Sequence, residues 1–190
     1  MDPAEFHRRG CEEFDKRIQK VGDDQWSNST PCSEWDVRAL VNHLVMENRW
    51  VVPLLEGKTV PEVGDALDGD LLGSDPKAAW TESVREAQDA IARLGGKDDL
   101  VHVSWGDIGR EDYIRQVAAD MTLHSWDLAR GIGTDEKLDD ELVAESDAVV
   151  RPMAEMARQF GVDAYGKEPA STPEGADPQA SLLAAIGRDV

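Results

Sequence analysis

The chain has 190 residues, with 39 Asp and Glu against 20 Lys and Arg, for a formal charge of −19 at pH 7. That length suits a single domain, 1–190, with a real core, and that charge repels phosphate backbones and anionic lipid heads, so neither nucleic acid nor a membrane is an expected partner. Two cysteines, Cys11 and Cys32, make no disulfide framework, no apolar run is long enough to span a bilayer, and Met1-Asp2-Pro3-Ala4-Glu5 lacks the basic and apolar parts of a signal peptide, so a cytoplasmic protein is expected.

Residues 3 to about 20 read as a first helix, because Phe6, Cys11, Phe14, Ile18 and Val21 recur near the helical period with charged residues between them. Residues 22–33 read as a loop, with Trp26 and the turn cluster Ser27-Asn28-Ser29-Thr30-Pro31. Asp36 is the expected N-cap of a second helix that runs to about Leu55, past Pro53. Val37, Leu40, Val41, Leu44 and Val51 form its apolar arc, and Arg38, Asn42 and Arg49 lie opposite. Residues 57–74 are polar with scattered Gly, Pro and Asp, a long loop of the kind that often serves as a lid. Asp75-Pro76 opens a third helix with Trp80, Val84, Ala87 and Ile91 on its buried stripe, and Gly95-Gly96 is its expected stop.

Residues 100–105 alternate and are rich in valine, which suits a short strand, and Gly106 and Gly109 follow as turn residues. A fourth helix is expected over about 111–130, with Ile114, Val117, Met121 and Leu128 as its stripe and Gly131-Ile132-Gly133 as its end. Asp139 or Asp140 caps a fifth, reaching about Phe160 and carrying Leu142, Val149, Met153 and Met156. Residues 161–178 read as a wrapping loop, and 178–186 as a last short helix with Leu182, Leu183 and Ile186. The pattern is all-α.

Two His/acid pairs stand out. His43 and Glu47 on the second helix, and Asp120 and His124 on the fourth, are each four residues apart, so each pair leaves one helix face. His43 and Glu47 fall inside the apolar arc, His124 falls inside its stripe, and Asp120 sits at the stripe's edge beside Tyr113. Inward-facing ionisable groups need partners, and facing helices carrying His and carboxylate are how helical bundles build metal sites. His43, His124 and one carboxylate fill the three protein positions of a catalytic zinc-type site. Asp120 is the choice for the carboxylate, because it shares a turn with His124. Glu47 is then an alternate ligand, an outer partner or a general base. Asp127 either orients an imidazole or pairs with Arg130 at i+3. The bland alternative makes each His a hydrogen-bonded core residue, and that reading is given to His7 and His102. Cys32 is read as a small packing residue, and Trp35, Trp50, Trp80 and Trp126 as core. No nucleophile elbow or phosphate-binding glycine loop is present.

The run Thr30-Pro31-Cys32-Ser33-Glu34-Trp35-Asp36-Val37-Arg38-Ala39-Leu40-Val41-Asn42-His43-Leu44 resembles the signature of actinobacterial metal-binding proteins allied to mycothiol-dependent maleylpyruvate isomerase, within the DinB-like superfamily. Leu123-His124-Ser125-Trp126-Asp127-Leu128-Ala129-Arg130 resembles the second signature, and Leu182-Leu183-Ala184-Ala185-Ile186-Gly187-Arg188-Asp189 the usual ending of the smaller members. The resemblance implies a DinB-like four-helix bundle with a short strand or hairpin. It implies a divalent metal, usually Zn2+ with Ni2+ or another ion as alternatives, held by His43, Asp120 and His124. Mycothiol is the implied cosubstrate for isomerisation or S-transfer. The isomerase has Glu where this chain has Asp120, other DinB-like proteins have a third His there, and the isomerase carries a further C-terminal domain.

The expected activity is therefore that of a metal-dependent thiol transferase or isomerase, with a small thiol and an electrophile as partners and Glu47 or Asp127 moving the proton. The competing class is a non-catalytic small-molecule binding or self-protection protein on the same fold, which turnover would distinguish. Helical faces of such bundles often pair, so a homodimer is compatible with the sequence.

Overall fold

A computed structural model describes residues 1–94, 96, 99–159, 169–170 and 175–190. The elements in chain order are α1 (Pro3–Ile18), α2 (Val37–Leu55), α3 (Val60–Val63), α4 (Pro76–Arg93), β1 (Leu100–Val103), β2 (Gly106–Gly109), α5 (Arg110–Ile132), α6 (Asp140–Gln159) and α7 (Pro178–Ala185). Three helix starts follow one local recipe. Asp2, Asp75 and Asp177 each precede a proline, and their carboxylates accept from the free amides of Ala4 and Glu5, Ala78, and Ala180. Asp36 caps α2 through Ala39, and Asp139, rather than Asp140, caps α6 through Glu141 and Leu142.

Helices α1, α5, α2 and α4 contact one another in that cyclic order and close a four-helix bundle. Its core joins Phe14, Ile18, Leu40, Leu44, Trp80, Ile114 and Met121, with the Phe14 and Trp80 rings 4.6 Å apart. A second core lies across α5, where Phe6, Leu123 and Trp126 meet Leu142 and Val143 of α6 and Leu182 and Leu183 of α7. Helix α5 is thus packed on all sides, and every residue from 121 to 129 is buried. It lies so close to α1 that a Cβ on Gly10 would come within 2.9 Å of the Ala118 carbonyl oxygen. Two buried hydroxyls on α5 are satisfied within the helix: Thr122 donates to Ala118 O and Ser125 to Met121 O.

Several expectations change. Gly106 and Gly109 are not plain turn residues: 106–109 form β2, antiparallel to β1, with Val101 opposite Ile108 and His102 opposite Asp107. The strand therefore stops at Val103, and Trp105 sits exposed beyond it. Residues 57–74 contain the single turn α3, and 69–73 are pinned to the polar face of α2. Arg38 binds Asp70, and Asn42 binds the backbone of Gly69 and Leu71. Helix α5 continues through Gly131 and Ile132 and ends at Gly133 in the left-handed region, φ 66°. Met156 is exposed, because the buried stripe of α6 is Leu142, Ser146, Val150 and Ala154, and two residues past Ala154 lies roughly 200° around the helix. His7 is a fully buried core residue, as read, with Nε2 3.1 Å from Asn48 Oδ1. Gly95, Phe160 and most of 161–178 lie outside the described residues. No described helix is long and apolar enough to cross a membrane.

Candidate metal centre

The centre forms where α2 faces α5. Asp120 stands between two imidazoles: His43 Nε2 donates to its Oδ2 at 2.9 Å, and His124 Nε2 lies 3.4 Å from its Oδ1. The two rings meet edge to face with centroids 5.2 Å apart. The indole of Trp35, in the loop before α2, packs 4.5 Å from the His43 centroid and 5.7 Å from that of His124. That loop is held to the end of α5 by Gln25 and Asn28, whose side-chain amides donate to the carbonyls of Ile132 and Gly131.

Behind His124 lies a second set of polar groups. Its Nδ1 donates to Asp127 Oδ2 at 2.8 Å. Arg188, just past α7, donates from Nε to Asp127 Oδ1 at 2.9 Å and from Nη2 to Asp127 Oδ2 at 3.0 Å. The same Nη2 lies 3.1 Å from Cys32 Sγ, and the thiol is 3.3 Å from Asp127 Oδ2 and 3.8 Å from His124 Nδ1. Asp127 is fully buried, so its charge depends on these partners.

Burial opposes charge on His124, but the Asp120 carboxylate, with bonds from Asp120, Asp127 and Cys32, raises it well above its ordinary value. Burial would likewise lift Asp120, yet the charges of His124 and His43 and their bonds hold it far below the usual carboxylate range. Asp127 is held at about 2 against the effect of burial by His124 and Arg188. Burial first, and the Asp120 charge second, push Glu47 up to about 7, with His43 and His124 pulling the other way. Glu47 makes no hydrogen bond among the described residues. The Tyr113 hydroxyl, on α5 two turns before Asp120, is buried without a partner among them.

The side chains of His43, Asp120 and His124, picked from the sequence, thus meet at one place, with Glu47 within reach of their charge. Asp127 orients His124 and does not pair with Arg130, which binds Glu136 and lies over the Trp126 ring. Trp35 and Cys32, read as packing residues, line the centre. Arg188 was not singled out. A carboxylate inside a buried run of α5 signals that some cation must reach it, but the sequence offered only Arg130 as a local candidate.

The model of the mycothiol maleylpyruvate isomerase N-terminal domain family matches residues 7–129. That span holds His43, Glu47, Asp120, His124 and Asp127 and stops before Arg188. The chain is 29% identical over 195 residues to an uncharacterized protein of Mycobacterium tuberculosis, found in two strains, with the full length of both chains covered. The fold is similar to the crystal structure of the mycothiol-dependent maleylpyruvate isomerase, at TM-score 0.64 and 14% identity over 92% of this chain and 77% of that one. A mutant of that isomerase with one histidine replaced by alanine matches with the same TM-score and coverage at 12% identity. At those identities the structural likeness is one of fold, and the family rests on the matched sequence: the chain belongs to the mycothiol maleylpyruvate isomerase N-terminal domain family.

Proposed function

We propose that His43, Asp120 and His124 hold a divalent cation, zinc first and nickel or another ion as alternatives, for a reaction that uses a small thiol, with mycothiol as the expected cosubstrate. The observation that carries this reading is the carboxylate of Asp120 set between two imidazole Nε2 atoms. The three donor atoms lie within 4.8 Å of one another. Ligands of a tetrahedral zinc with bonds near 2.0–2.1 Å stand roughly 3.3 Å apart, and each imidazole Nε2 lies near that distance from one Asp120 oxygen, His43 at 2.9 Å from Oδ2 and His124 at 3.4 Å from Oδ1. Nitrogen and carboxylate donors in threes, with a further position open, are the set that catalytic zinc takes. Bound there, the cation would supply a positive charge that favours a thiolate over a thiol at that open position.

The chain's own residues do the rest. Asp127 accepts the Nδ1 proton of His124 and so keeps Nε2 turned to the centre. Trp35 covers both imidazoles and keeps water from that side. Glu47, one turn after His43 and free of hydrogen bonds among the described residues, takes the thiol's proton. Sulfur then adds to an electrophilic carbon of the substrate, forming the C–S bond as the carbon's π pair shifts to its neighbour, and Glu47 returns the proton there. Reversal after rotation about the new single bond releases the thiol and gives isomerisation; retention of the bond gives S-transfer. Family membership and the shared fold support the thiol; the electrophile has no marker in the sequence.

Metal analysis of purified protein tests the first part: one divalent ion per chain in the wild type and none in His43→Ala or His124→Ala. If the wild type also binds none at saturating zinc, the reading is wrong. A conjugation assay with mycothiol and a model electrophile tests the second part. Stoichiometric binding without turnover would instead indicate a sequestering protein.

A further inference from the structure

His124 belongs to two ligand sets at once. On its Nε2 side stand His43 and Asp120; on its Nδ1 side stand Cys32 and Asp127; and in each set the candidate donor atoms all lie within 4.8 Å of one another. Donor chemistry does not favour the first. Thiolate, imidazole and carboxylate together are at least as good for zinc or nickel as two imidazoles and a carboxylate, and the sulfur suits the softer ions better. What distinguishes the two sets is Arg188. Its guanidinium bonds both oxygens of Asp127 and the sulfur of Cys32, the atoms a cation on that side would need. A guanidinium keeps its charge under all ordinary conditions, so the positive charge there is permanent.

The end of the chain is built to put it there. Leu182, Leu183 and Ile186 anchor α7 in the second core. Gly187, at φ 79°, turns the backbone, with its amide donating to Ala184 O and that of Arg188 to Leu183 O, the pairing that closes a helix through a left-handed glycine. The turn sends the Arg188 side chain back toward Asp127, where it is 16% exposed against a fully covered carboxylate.

We propose that Arg188 is a built-in cation that fills the Cys32–His124–Asp127 set and so confines a metal to the Nε2 side of His124. This rests on the metal reading above. It makes Arg188 a positioning residue outside the span matched by the family model, and it keeps the protein's own thiol from becoming a ligand of the metal. Losing Arg188 leaves two carboxylate oxygens and a thiol facing His124 without a cation, and a metal would then move to the sulfur side.

Cobalt(II) reports which side it occupies, because a thiolate ligand adds an intense near-ultraviolet charge-transfer band that nitrogen and oxygen ligands do not. Full-length wild type titrated with Co2+ is expected to show visible bands alone. Arg188→Met is expected to gain the charge-transfer band and to lose it again in the double variant with Cys32→Ser, while Arg188→Lys, which keeps the charge, stays close to wild type. A wild-type spectrum for Arg188→Met, or a charge-transfer band already in the wild type that Cys32→Ser removes, overturns the proposal. Should Arg188→Met not fold, as judged by circular dichroism, the wild type against Cys32→Ser alone decides: identical cobalt spectra support it, different ones overturn it. If the wild type binds no cobalt but Arg188→Met does, through sulfur, the metal reading fails while the blocking role of Arg188 stands. If neither binds, both fail.

Discussion

His7 and His124 are both buried histidines on helices that pack against each other, and they are in opposite chemical states. His7 Nε2 pairs with Asn48 Oδ1 at 3.1 Å, Asn48 reaches Ser83 Oγ at 3.4 Å, and Ser83 donates to the Trp80 carbonyl. Every partner is neutral, so burial dominates and lowers His7 to about 4. His124 touches Asp120 and Asp127, and their carboxylates outweigh the same burial. Burial alone therefore does not mark a functional histidine. The neutral chain ends on a backbone carbonyl and is complete, whereas the ionic one leaves a carboxylate between two imidazoles in a place a cation can enter.

The sharpest way to break that contrast is to remove each histidine in turn. His43→Ala and His124→Ala should each weaken zinc binding by more than about 100-fold, the upper range for losing an outer partner of a ligand, while His7→Gln leaves it unchanged. Competition with a chromophoric chelator measures all three, and equal losses would erase the distinction. The second expectation concerns His7 alone. Its folded pKa of about 4 lies below the ordinary 6.5, so the unfolded chain takes up the proton first as pH falls. Stability linked to His7 is thus complete above pH 6.5 and is lost between 6.5 and about 4. The loss is on the order of 3 kcal/mol and should be absent in His7→Gln. Urea unfolding across that window, wild type against variant, would show parallel curves if His7 were not buried neutral.

Asp127→Asn keeps the shape of the group behind His124 but removes its charge. A loss of about 10–100-fold in zinc affinity is expected, as for other partners that orient a metal-binding imidazole. No change would mean that Asp127 serves Arg188 and Cys32 only. The smallest effect belongs to the contact between the two helices. Gly10→Ala places a methyl 2.9 Å from the Ala118 carbonyl oxygen, a backbone atom that cannot swing away. Overpacking of roughly 1–3 kcal/mol should outweigh the helix-propensity gain of about 1 kcal/mol from replacing glycine. A net loss in unfolding free energy with little change in metal affinity would place the effect in packing.

Much of this was written locally. Asp before proline marks three helix starts, the period of apolar residues marks the bundle's stripes, and the i, i+4 spacing of His43 with Glu47 and of Asp120 with His124 puts each pair on one face. These features depend on residues within a turn or two of one another, where backbone geometry dictates direction. The errors were of another kind. β2 has no strand pattern of its own and exists because β1 lies beside it. Trp35 looks like any core tryptophan until α5 brings His124 beneath it.

The sequence by itself determined the helices, their inward faces and the residue types available for a metal, because propensity, capping and periodicity act over a few residues. Only the tertiary structure decided that Asp127 answers to Arg188, 61 positions away, rather than to Arg130 three positions on. A buried charge takes whichever opposite charge the packed helices bring within reach, and that distance is set by the fold and not by the spacing along the chain.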